Sequence, residues 1–457
     1  MIATAPKPIP GPTSPGIFQT LYWVMKPVEL MENHCDRYGD IFRVNSLGAG
    51  YDQLTFVSHP NHIKELFARD GSELSTPGRF NGLIQPLVGN QSLLLLEGAT
   101  HRRRRKLIMP PFHGDRLRSY GDAIQQIAQD IFNQWQPGQP FIARQATQDL
   151  TLQIIMETVF GLKAGDRCGA MRPLLAEMVD MVAEPSRASF LFFPFLQQSW
   201  GPWGKFEKAR TALDRLVYAE IEERRAVGVG DREDILSLLM ASRDEDGNPL
   251  TDLELRDELM TLLFAGHETT ATAMAWAMYW IHKQPGCLDK LRAELKTLPD
   301  GASPLELMKL PYLTAVCNET LRLYPVAMVT FPRYVEKTFE LDGYLLEQGQ
   351  IILGCIYLVH HRQELYPDSK TFRPERFLER SFSATEFMPF GGGSRRCVGS
   401  ALAMAELAIA LGTWIKQGQF SLNEPGPVQP QRRGVTLGQK GGVKMRFVGP
   451  ISSQDQN

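Results

Sequence analysis

The stretch F-G-G-G-S-R-R-C-V-G, from Phe390 to Gly399, places one cysteine just before an apolar helical pattern. At the start of a helix, unpaired backbone N–H groups and the helix dipole favour a thiolate, and a thiolate binds iron well. The glycines at 391–393 allow a tight turn, and Gly399 has no side chain to hold a flat cofactor away. Arg395 offers a donor fork to a carboxylate, and Phe390 would keep water off the sulfur. The stretch therefore predicts a loop that binds an iron cofactor through Cys397.

A shorter pattern of this kind would more often be a glycine-rich turn with a buried free cysteine. The full spacing is more specific, because it has Phe first, Gly fourth, Arg sixth, Cys eighth and Gly tenth. This spacing resembles the signature of the cytochrome P450 superfamily. The resemblance implies that Cys397 is the axial ligand of heme b (iron protoporphyrin IX). It also implies a mainly α fold with a small β region (α+β), in which a triangular helical domain surrounds the buried heme.

The composition is that of a globular protein. The chain has 457 residues, of which 43% are hydrophobic, and a formal net charge of -2, so it can bury a large core and has no overall bias toward nucleic acid. No linker separates parts of the chain, and we expect a single catalytic domain over 1–457 with no fused reductase. The six cysteines contain no C-x-x-C pair, which indicates neither a disulfide framework nor a zinc site and suits a cytoplasmic protein.

The N-terminal region is a candidate for a leader or an anchor. Residues 1–15 form a proline-rich arm that lacks the apolar core of a secretion signal. The moderately apolar segment Gly16–Met31 is interrupted by Lys26 and Pro27, well short of the ~20 residues that span a bilayer. We therefore expect no transmembrane anchor, and contact with a membrane surface stays open.

A basic segment, A-T-H-R-R-R-R-K-L-I, follows a glycine- and proline-punctuated region. In a helix His101 and Arg105 share a face, where they can hold carboxylates. In isolation, such a run is more often a solvated face or a nucleic-acid patch. The family resemblance implies instead that His101 and Arg105 contact heme propionates, and that Arg103 and Arg104 serve the docking of an acidic electron donor.

A run of apolar residues, F-L-F-F-P-F-L, extends from Phe190 to Leu196. Packing in the core is one interpretation. By the resemblance, the other is a lip of the access channel, which would suit a long lipophilic substrate or a membrane surface. The sequence leaves both open.

The segment from Thr251 to Gln284 predicts one long helix, since Thr251 and Glu254 form a capping box and Pro285 ends the run. Polar residues near its centre, His267 and Glu268, argue against a transmembrane span. Ala271 breaks the H-E-x-x-H pattern of a zinc protease.

Within this helix, A-G-H-E-T-T resembles the oxygen-activation motif of the family. Ala265 leaves room over a ring face. Glu268 and Thr269 are an acid beside an alcohol, a pair that can pass protons to bound dioxygen. We therefore expect Glu268 and Thr269 to be the catalytic pair.

Glu319 and Arg322 match the E-x-x-R of the family, and Arg376 in F-R-P-E-R-F matches the third member of its structural triad. An ordinary surface ion pair is the alternative for E-x-x-R alone. The segment from Val326 to Arg333 predicts a strand at the edge of the heme, with Arg333 as a further propionate contact. Four residues of this segment are expected to face the substrate, namely Val326, Ala327, Met328 and Val329.

Taken together, the motifs predict a heme-thiolate monooxygenase that inserts one oxygen atom from O2 into a C–H bond, with electrons from an external ferredoxin and ferredoxin reductase. The sequence is similar to a cyanobacterial group that oxidises fatty acids, terpenes or steroids, so we expect a lipophilic substrate and no nucleic-acid partner. One alternative is a peroxide-using peroxygenase or an isomerase. Another is a non-catalytic heme sensor or ligand carrier.

Overall fold

The computed structural model describes residues 7–45, 53–114, 116–163, 165–183, 197–299, 301–424 and 426–451. The apolar run from Phe190 to Leu196, for which two interpretations were left open, lies outside these residues. The first six residues of the proline-rich arm also lie outside them. The rest of the arm contacts the sheet region, since Lys7 N donates to Gly343 O at 2.8 Å and Ile9 is buried.

Most of the described chain is helical, in agreement with the predicted mainly α fold. The helices, numbered along the chain, are α1 (Gly16–Met25), α2 (Pro27–Tyr38), α3 (Pro60–Ala68), α4 (Gln85–Val88), α5 (Gly98–Ile108), α6 (Arg116–Phe132), α7 (Ala143–Phe160), α8 (Asp166–Ala183), α9 (Pro202–Val227), α10 (Ile235–Ala241), α11 (Asp252–Lys283), α12 (Cys287–Leu295), α13 (Pro304–Leu307), α14 (Pro311–Leu323), α15 (Ile356–His360), α16 (Arg376–Glu379) and α17 (Ser400–Gln417).

Helix α11 is the central element, and its 32 residues begin and end where the sequence predicts. The side chain of Thr251 accepts a hydrogen bond from Glu254 N, and the carboxylate of Glu254 accepts one from Thr251 N at 2.8 Å, which completes the capping box. Helices α7 and α17 pack against α11, and the largest hydrophobic core surrounds it, with Trp276 fully buried. This packing places the A-G-H-E-T-T motif beside helix α7.

The strands form small sheets beside the helices. They are β1 (Ile41–Asn45), β2 (Gln53–Val57), β3 (Leu74–Ser75), β4 (Pro140–Ile142), β5 (Arg333–Val335), β6 (Phe339–Leu341), β7 (Tyr344–Leu346), β8 (Ile351–Gly354), β9 (Gly418–Leu422), β10 (Pro430–Arg433), β11 (Thr436–Gln439) and β12 (Lys444–Pro450). A five-stranded sheet has the order β1-β2-β8-β5-β3, and β1 pairs with β2 antiparallel from Ile41↔Val57 to Asn45↔Gln53. The smaller sheets are β4-β12-β9, β10-β11 and β6-β7.

The predicted strand from Val326 to Arg333 is wrong in its bounds, because the strand begins only at Arg333. Pro325 and Pro332 have no N–H to donate to a ladder. The residues between them bond to other segments of the chain instead. Val326 O accepts from Leu437 N at 3.0 Å, and Met328 O accepts from Tyr357 N at 3.0 Å.

A buried ion-paired cluster joins helix α14 to helix α16. Both Nε and Nη2 of Arg322 donate to Glu319, at 2.7 and 2.9 Å, and Nε of Arg376 donates to Glu319 Oε1 at 3.0 Å. All three side chains are buried. The main-chain N–H of Arg373 adds a further bond to Glu319 Oε1, at 2.8 Å. Glu319 therefore links α14 to α16 through its bonds to both arginines.

Two further features bear on the class of protein. No helix in the described part of the chain combines the length and the apolar character that crossing a bilayer requires. All six cysteines lie in that part, and each of them is free.

Candidate functional site

The cysteine loop turns tightly before helix α17. Gly391 and Gly393 have positive φ angles of 67° and 65°, which favour glycine, and a short 3-10 turn spans Gly393–Arg395. The N–H of Cys397 donates to Phe390 O at 3.0 Å and closes the loop. The loop therefore presents Cys397 three residues before the first residue of α17.

Residues in and just after helix α3 contact the cysteine loop. A Cβ atom on Gly392 would lie 2.2 Å from Cε2 of Phe67, so only glycine fits there without displacing this ring. Ser394 donates from both N and Oγ to Asp70 Oδ2, each at 3.0 Å. The loop is thus fixed to the end of α3 by packing and by a carboxylate.

Arg333 reaches the same carboxylate. Its Nε and Nη2 atoms lie 3.2 Å from the two oxygens of Asp70, and Nη2 also donates to Gly392 O at 2.9 Å. Arg333 is buried, and its guanidinium lies over the ring of Phe67. In this arrangement Arg333 connects strand β5 to the cysteine loop, and the predicted contact of Arg333 with a propionate stays a prediction.

Arg395 is also held by the protein itself. It donates to Thr76 Oγ1 at 3.1 Å and Thr76 O at 2.6 Å, and to the main-chain oxygens of Leu93 at 2.9 Å and Leu96 at 2.5 Å. These bonds use four of its five N–H groups. Arg395 therefore ties the cysteine loop to the segment before helix α5, and one N–H is left for another acceptor.

The side chain of Cys397 lines a partly open cavity of about 300 Å³. The lining residues are Arg105, Met109, His113, Phe390, Arg396, Cys397, Val398, Ser400, Ala401 and Met404. Burial raises the pKa of the Cys397 thiol, while the N–H of Gly399 and the charges of Arg105 and Arg396 lower it. A cation bound to the sulfur would add a stronger stabilisation of the thiolate.

The charges around this cavity test whether heme fits. Arg105 is half-buried, and none of the described residues accepts a hydrogen bond from its guanidinium. Buried His101 lies near Arg395, Arg105 and Arg102, and burial together with these cations lowers its pKa to about 3. A guanidinium that is partly removed from water is stabilised by an anion within hydrogen-bond reach. The thiol, the cavity and the unmatched guanidinium therefore fit a flat metal cofactor that carries carboxylates, such as heme b.

The docking role expected for Arg104 is wrong. Arg104 is buried, and it donates to Glu258 Oε1 at 3.0 Å, to Gln91 O at 2.9 Å and to the carboxylate of Glu254. It therefore joins helix α5 to helix α11 in the interior. Arg103 is exposed and pairs with Asp244.

On helix α11, the A-G-H-E-T-T motif divides between two faces. Ala265 is exposed, and the hydroxyl of Thr269 donates to Ala265 O at 2.5 Å. A Cβ atom on Gly266 would lie 3.0 Å from Ile155, so this glycine permits close packing of α7.

His267 is buried with its Nδ1 2.9 Å from Thr151 Oγ1, and burial lowers its pKa to about 4. The imidazole of His267 is therefore neutral and serves packing.

Glu268 is held by side chains from two other elements. Nη2 of Arg144 donates to its Oε1 at 2.6 Å, and Nε2 of Gln148 donates to its Oε2 at 2.9 Å. Nε of Arg433, at the end of β10, lies 3.8 Å from Oε1. Both carboxylate oxygens thus have partners on α7, and among the described residues no hydrogen bond joins Glu268 to Thr269.

The four residues predicted to face substrate have different surroundings. Val326 and Met328 are buried in two different hydrophobic cores, and Val329 is partly buried against the second. Ala327 is exposed. Of the four, only Ala327 is exposed, and the assignment of the set to a substrate pocket stays a prediction.

Gly399 was expected to make room for a flat cofactor. A Cβ atom placed there would meet only Phe112, at 3.9 Å, so the space beside Gly399 is open at ordinary contact distance. No local sequence pattern marks the further supports of the site. These are Asp70 beneath the loop, Arg144, Gln148 and Arg433 around Glu268, and Met109, His113 and Met404 in the cavity.

Comparisons with known proteins agree with the family that the sequence motifs resemble. The family model described as Cytochrome P450 matches residues 8–444. Cytochrome P450 135B1 of Mycobacterium bovis is 32% identical over 440 residues, which cover 96% of this chain and 90% of that protein. Cytochrome P450 135A1 of Mycobacterium tuberculosis is 31% identical over 443 residues, covering 96% and 95%.

Among solved structures, retinoic acid-bound cyanobacterial CYP120A1 matches with a TM-score of 0.84. The match covers 98% of this chain and 100% of that chain, at 24% sequence identity. At this identity the match shows a common fold.

Proposed function

The chain belongs to the cytochrome P450 family, whose members are heme-thiolate monooxygenases, and from that premise we propose that it hydroxylates a large lipophilic molecule with electrons from a separate ferredoxin. One oxygen atom of O2 enters a C–H bond of the substrate, and the other leaves as water. The observation that carries the proposal is the Cys397 thiol in a cavity beside the unpaired Arg105 guanidinium. This donor set suits a thiolate-bound heme and its carboxylates.

The protein residues have separate tasks in this proposal. Cys397 binds the iron, and heme b supplies the oxygen-activating chemistry when it is bound. Phe390 shields the sulfur from water, and Arg105 with neutral His101 contacts the propionates. Glu268 and Thr269 hold and pass the protons that reduction of dioxygen consumes.

The substrate class rests on two exposed apolar residues, one on helix α11 and one in the segment after α14. Ala265 and Ala327 are small apolar residues with accessible surfaces, and both lie within hydrophobic parts of the chain. CYP120A1, which shares the fold, was solved with retinoic acid bound. We therefore propose a long apolar substrate, namely a fatty acid, a terpenoid or a steroid, with retinoic acid as a first test compound.

The electron source rests on charge at the surface near Cys397. Arg102 and Arg396 are exposed, and none of the described acidic residues forms an ion pair with either. A protein with an acidic face, such as a ferredoxin kept reduced by its reductase, complements this charge. Delivery of electrons by a separate ferredoxin suits a single catalytic unit. The six free cysteines favour a protein that works in the reducing cytoplasm.

One experiment tests the proposal in steps. The reduced, heme-loaded protein is exposed to carbon monoxide, and we expect the red-shifted Soret band of a thiolate-bound heme. Retinoic acid, fatty acids, terpenes and steroids are then titrated into the ferric protein. Ligands that displace iron-bound water are incubated with NADPH, a surrogate ferredoxin and its reductase, and products are identified by mass spectrometry.

The controls separate the alternatives. A Cys397→Ser variant should lose the red-shifted band. Product with hydrogen peroxide alone, and none with ferredoxin, would identify a peroxygenase. Ligand binding without product under either supply would identify a sensor or carrier, and turnover confined to small polar acids would refute the lipophilic substrate.

A further inference from the structure

Three unpaired polar atoms lie near Glu268, where helices α7 and α11 meet strand β11. They are Oγ1 of Thr272, Oε1 of Gln439 and Nε of Arg144, and each is buried without a hydrogen-bond partner among the described residues. Thr272 and Gln439 are 0% and 1% exposed. Polar atoms buried to this extent are normally satisfied, and bound water is the usual partner where protein groups are missing.

The three atoms belong to one cluster with Glu268. Thr272 lies one helical turn after Glu268, on the same side of α11. Nε2 of Gln439 donates to Thr272 O at 2.8 Å, which fixes the amide against the helix. Arg144 donates from Nη2 to Glu268, so its Nε belongs to the same group that holds the acid.

Side chains of the β10–β11 hairpin continue this cluster toward the protein surface. A Cβ atom on Gly438 would lie 3.1 Å from Cδ of Arg433 and 3.8 Å from Cγ2 of Thr272, so these side chains meet at this glycine. The side chain of Glu268 is 13% exposed and that of Arg433 is 20% exposed. Val435, in the turn of the hairpin, is 67% exposed. Exposure therefore increases from the acid toward the tip of the hairpin.

The unpaired atoms differ in whether they donate or accept a hydrogen bond to water. The Nε–H of Arg144 only donates, Oε1 of Gln439 only accepts, and the hydroxyl of Thr272 does both. A water molecule between such groups can accept at one side and donate at the other. This alternation is what a hydrogen-bonded chain of water requires.

We propose that Thr272, Gln439 and Arg144 hold bound water that carries protons from solvent at the β10–β11 hairpin to Glu268. The inference rests on the proposed monooxygenase function. For each proton that Glu268 releases toward Thr269, one proton enters from solvent. At each step one O–H bond breaks as the next forms, and no electron is transferred. Thr272 and Gln439 are positioning residues in this proposal, since they act through water on Glu268.

The first test uses Thr272→Val and Gln439→Leu in the heme-loaded protein. Each variant removes one proposed water-binding atom while the bulk of the side chain is kept, and Gln439→Leu also removes the bond from Nε2 to Thr272 O. Thr158→Val is the matched control, because Thr158 is also buried and its hydroxyl donates to Ile154 O at 2.8 Å. With NADPH, ferredoxin and reductase, we expect each test variant to form about fivefold less product per NADPH, to release more peroxide and to show a larger solvent isotope effect. Thr158→Val should match the wild-type protein.

A crystal structure of the heme-loaded wild-type protein gives a readout that does not depend on turnover. We expect ordered water within about 3.2 Å of both Thr272 Oγ1 and Gln439 Oε1. The absence of ordered water at these two atoms would overturn the inference. So would a wild-type ratio of product to NADPH in both test variants. If the wild-type protein turns over only with peroxide, the monooxygenase proposal fails, and the two water positions alone then support or overturn the water chain.

Discussion

The guanidinium Nη2 of Arg144 lies 2.6 Å from the carboxylate Oε1 of Glu268, and this ion pair orients the acid of the central helix toward helix α7. Gln148 holds the other carboxylate oxygen at 2.9 Å. The hydroxyl of Thr269 donates instead to Ala265 O within its own helix. Transfer of a proton from the acid to the alcohol therefore needs either a bridging water or a rotation of Glu268 away from Arg144.

The first prediction concerns Glu268→Gln. The amide keeps the size of the side chain but has no acidic proton, so we expect product formation with ferredoxin to fall about 100-fold. The red-shifted Soret band of the reduced carbon monoxide complex should be unchanged, because Glu268 contacts helix α7 and not the cysteine loop. Product is measured per NADPH consumed, together with released peroxide.

The matched control for that variant is Glu157→Gln. Glu157 lies on α7 and pairs at 3.3 Å with exposed Lys163, away from the motif. Its turnover should equal that of the wild-type protein. Turnover of Glu268→Gln within twofold of wild type would remove Glu268 from the proton path.

The sequence predicts elements well where the signals are local. The bounds of helix α11 follow from a capping box at Thr251 and from Pro285, both adjacent to the ends that they determine. The partners of Glu268 come from elsewhere in the chain, since Arg144 is 124 residues away. No local pattern marks Arg144 as the partner of an acid, so only the packing of α7 on α11 shows it.

Arg104 was mispredicted although a usable signal was present. Arg104 follows His101 by three residues and precedes Ile108 by four, a spacing that places all three on one helical face. His101 and Ile108 are buried, and so is Arg104. The run of four arginines conceals this face, because the family resemblance assigns only His101 and Arg105 to propionates and leaves Arg104 to the docking of an electron donor.

The second prediction concerns the buried cluster of Glu319 with Arg322 and Arg376. Glu319→Ala leaves two buried guanidinium groups without their carboxylate, and we expect it to lower the free energy of unfolding by about 3–5 kcal/mol. The measurements are the yield of heme-loaded protein and its thermal midpoint. Glu306→Ala, which removes an exposed pair with Lys309, is the control and should change the free energy of unfolding by less than about 1 kcal/mol. Equal effects of the two variants would contradict a structural role for the cluster.

The third prediction concerns Arg105, whose guanidinium lies beside Cys397 without a protein acceptor in the described part of the chain. If it pairs with a heme carboxylate, Arg105→Gln should release heme about tenfold faster, which corresponds to about 1.4 kcal/mol. Release is followed by transfer of heme to an excess of apomyoglobin. Arg102→Gln changes an exposed cation on the same helix and should leave the rate unaltered. A normal rate in Arg105→Gln would show that the carboxylates are held elsewhere.

The fourth prediction concerns Glu406, a buried carboxyl on helix α17 beside Thr270 on helix α11. Burial raises its pKa from 4.5 to about 8, and its one counteracting partner is the hydroxyl of Thr270. Between these two pH values the folded protein keeps a proton that the unfolded chain releases. The contribution of Glu406 to the free energy of unfolding should therefore be highest below about pH 4.5, fall by up to about 1.4 kcal/mol per pH unit, and become level above about pH 8.

Glu406→Gln removes this titration and keeps a neutral group next to Thr270. The thermal midpoint of the variant, relative to that of the wild-type protein, should therefore rise steadily from pH 5 to pH 8 when both are followed by the Soret band of the heme-loaded proteins. Glu364→Gln is the control, because Glu364 is exposed and its change should give a difference that does not depend on pH. If Glu406→Gln also gave a constant difference over this range, Glu406 would be ionised in the folded protein, and the contact between α11 and α17 would contain a charge that the described residues do not balance.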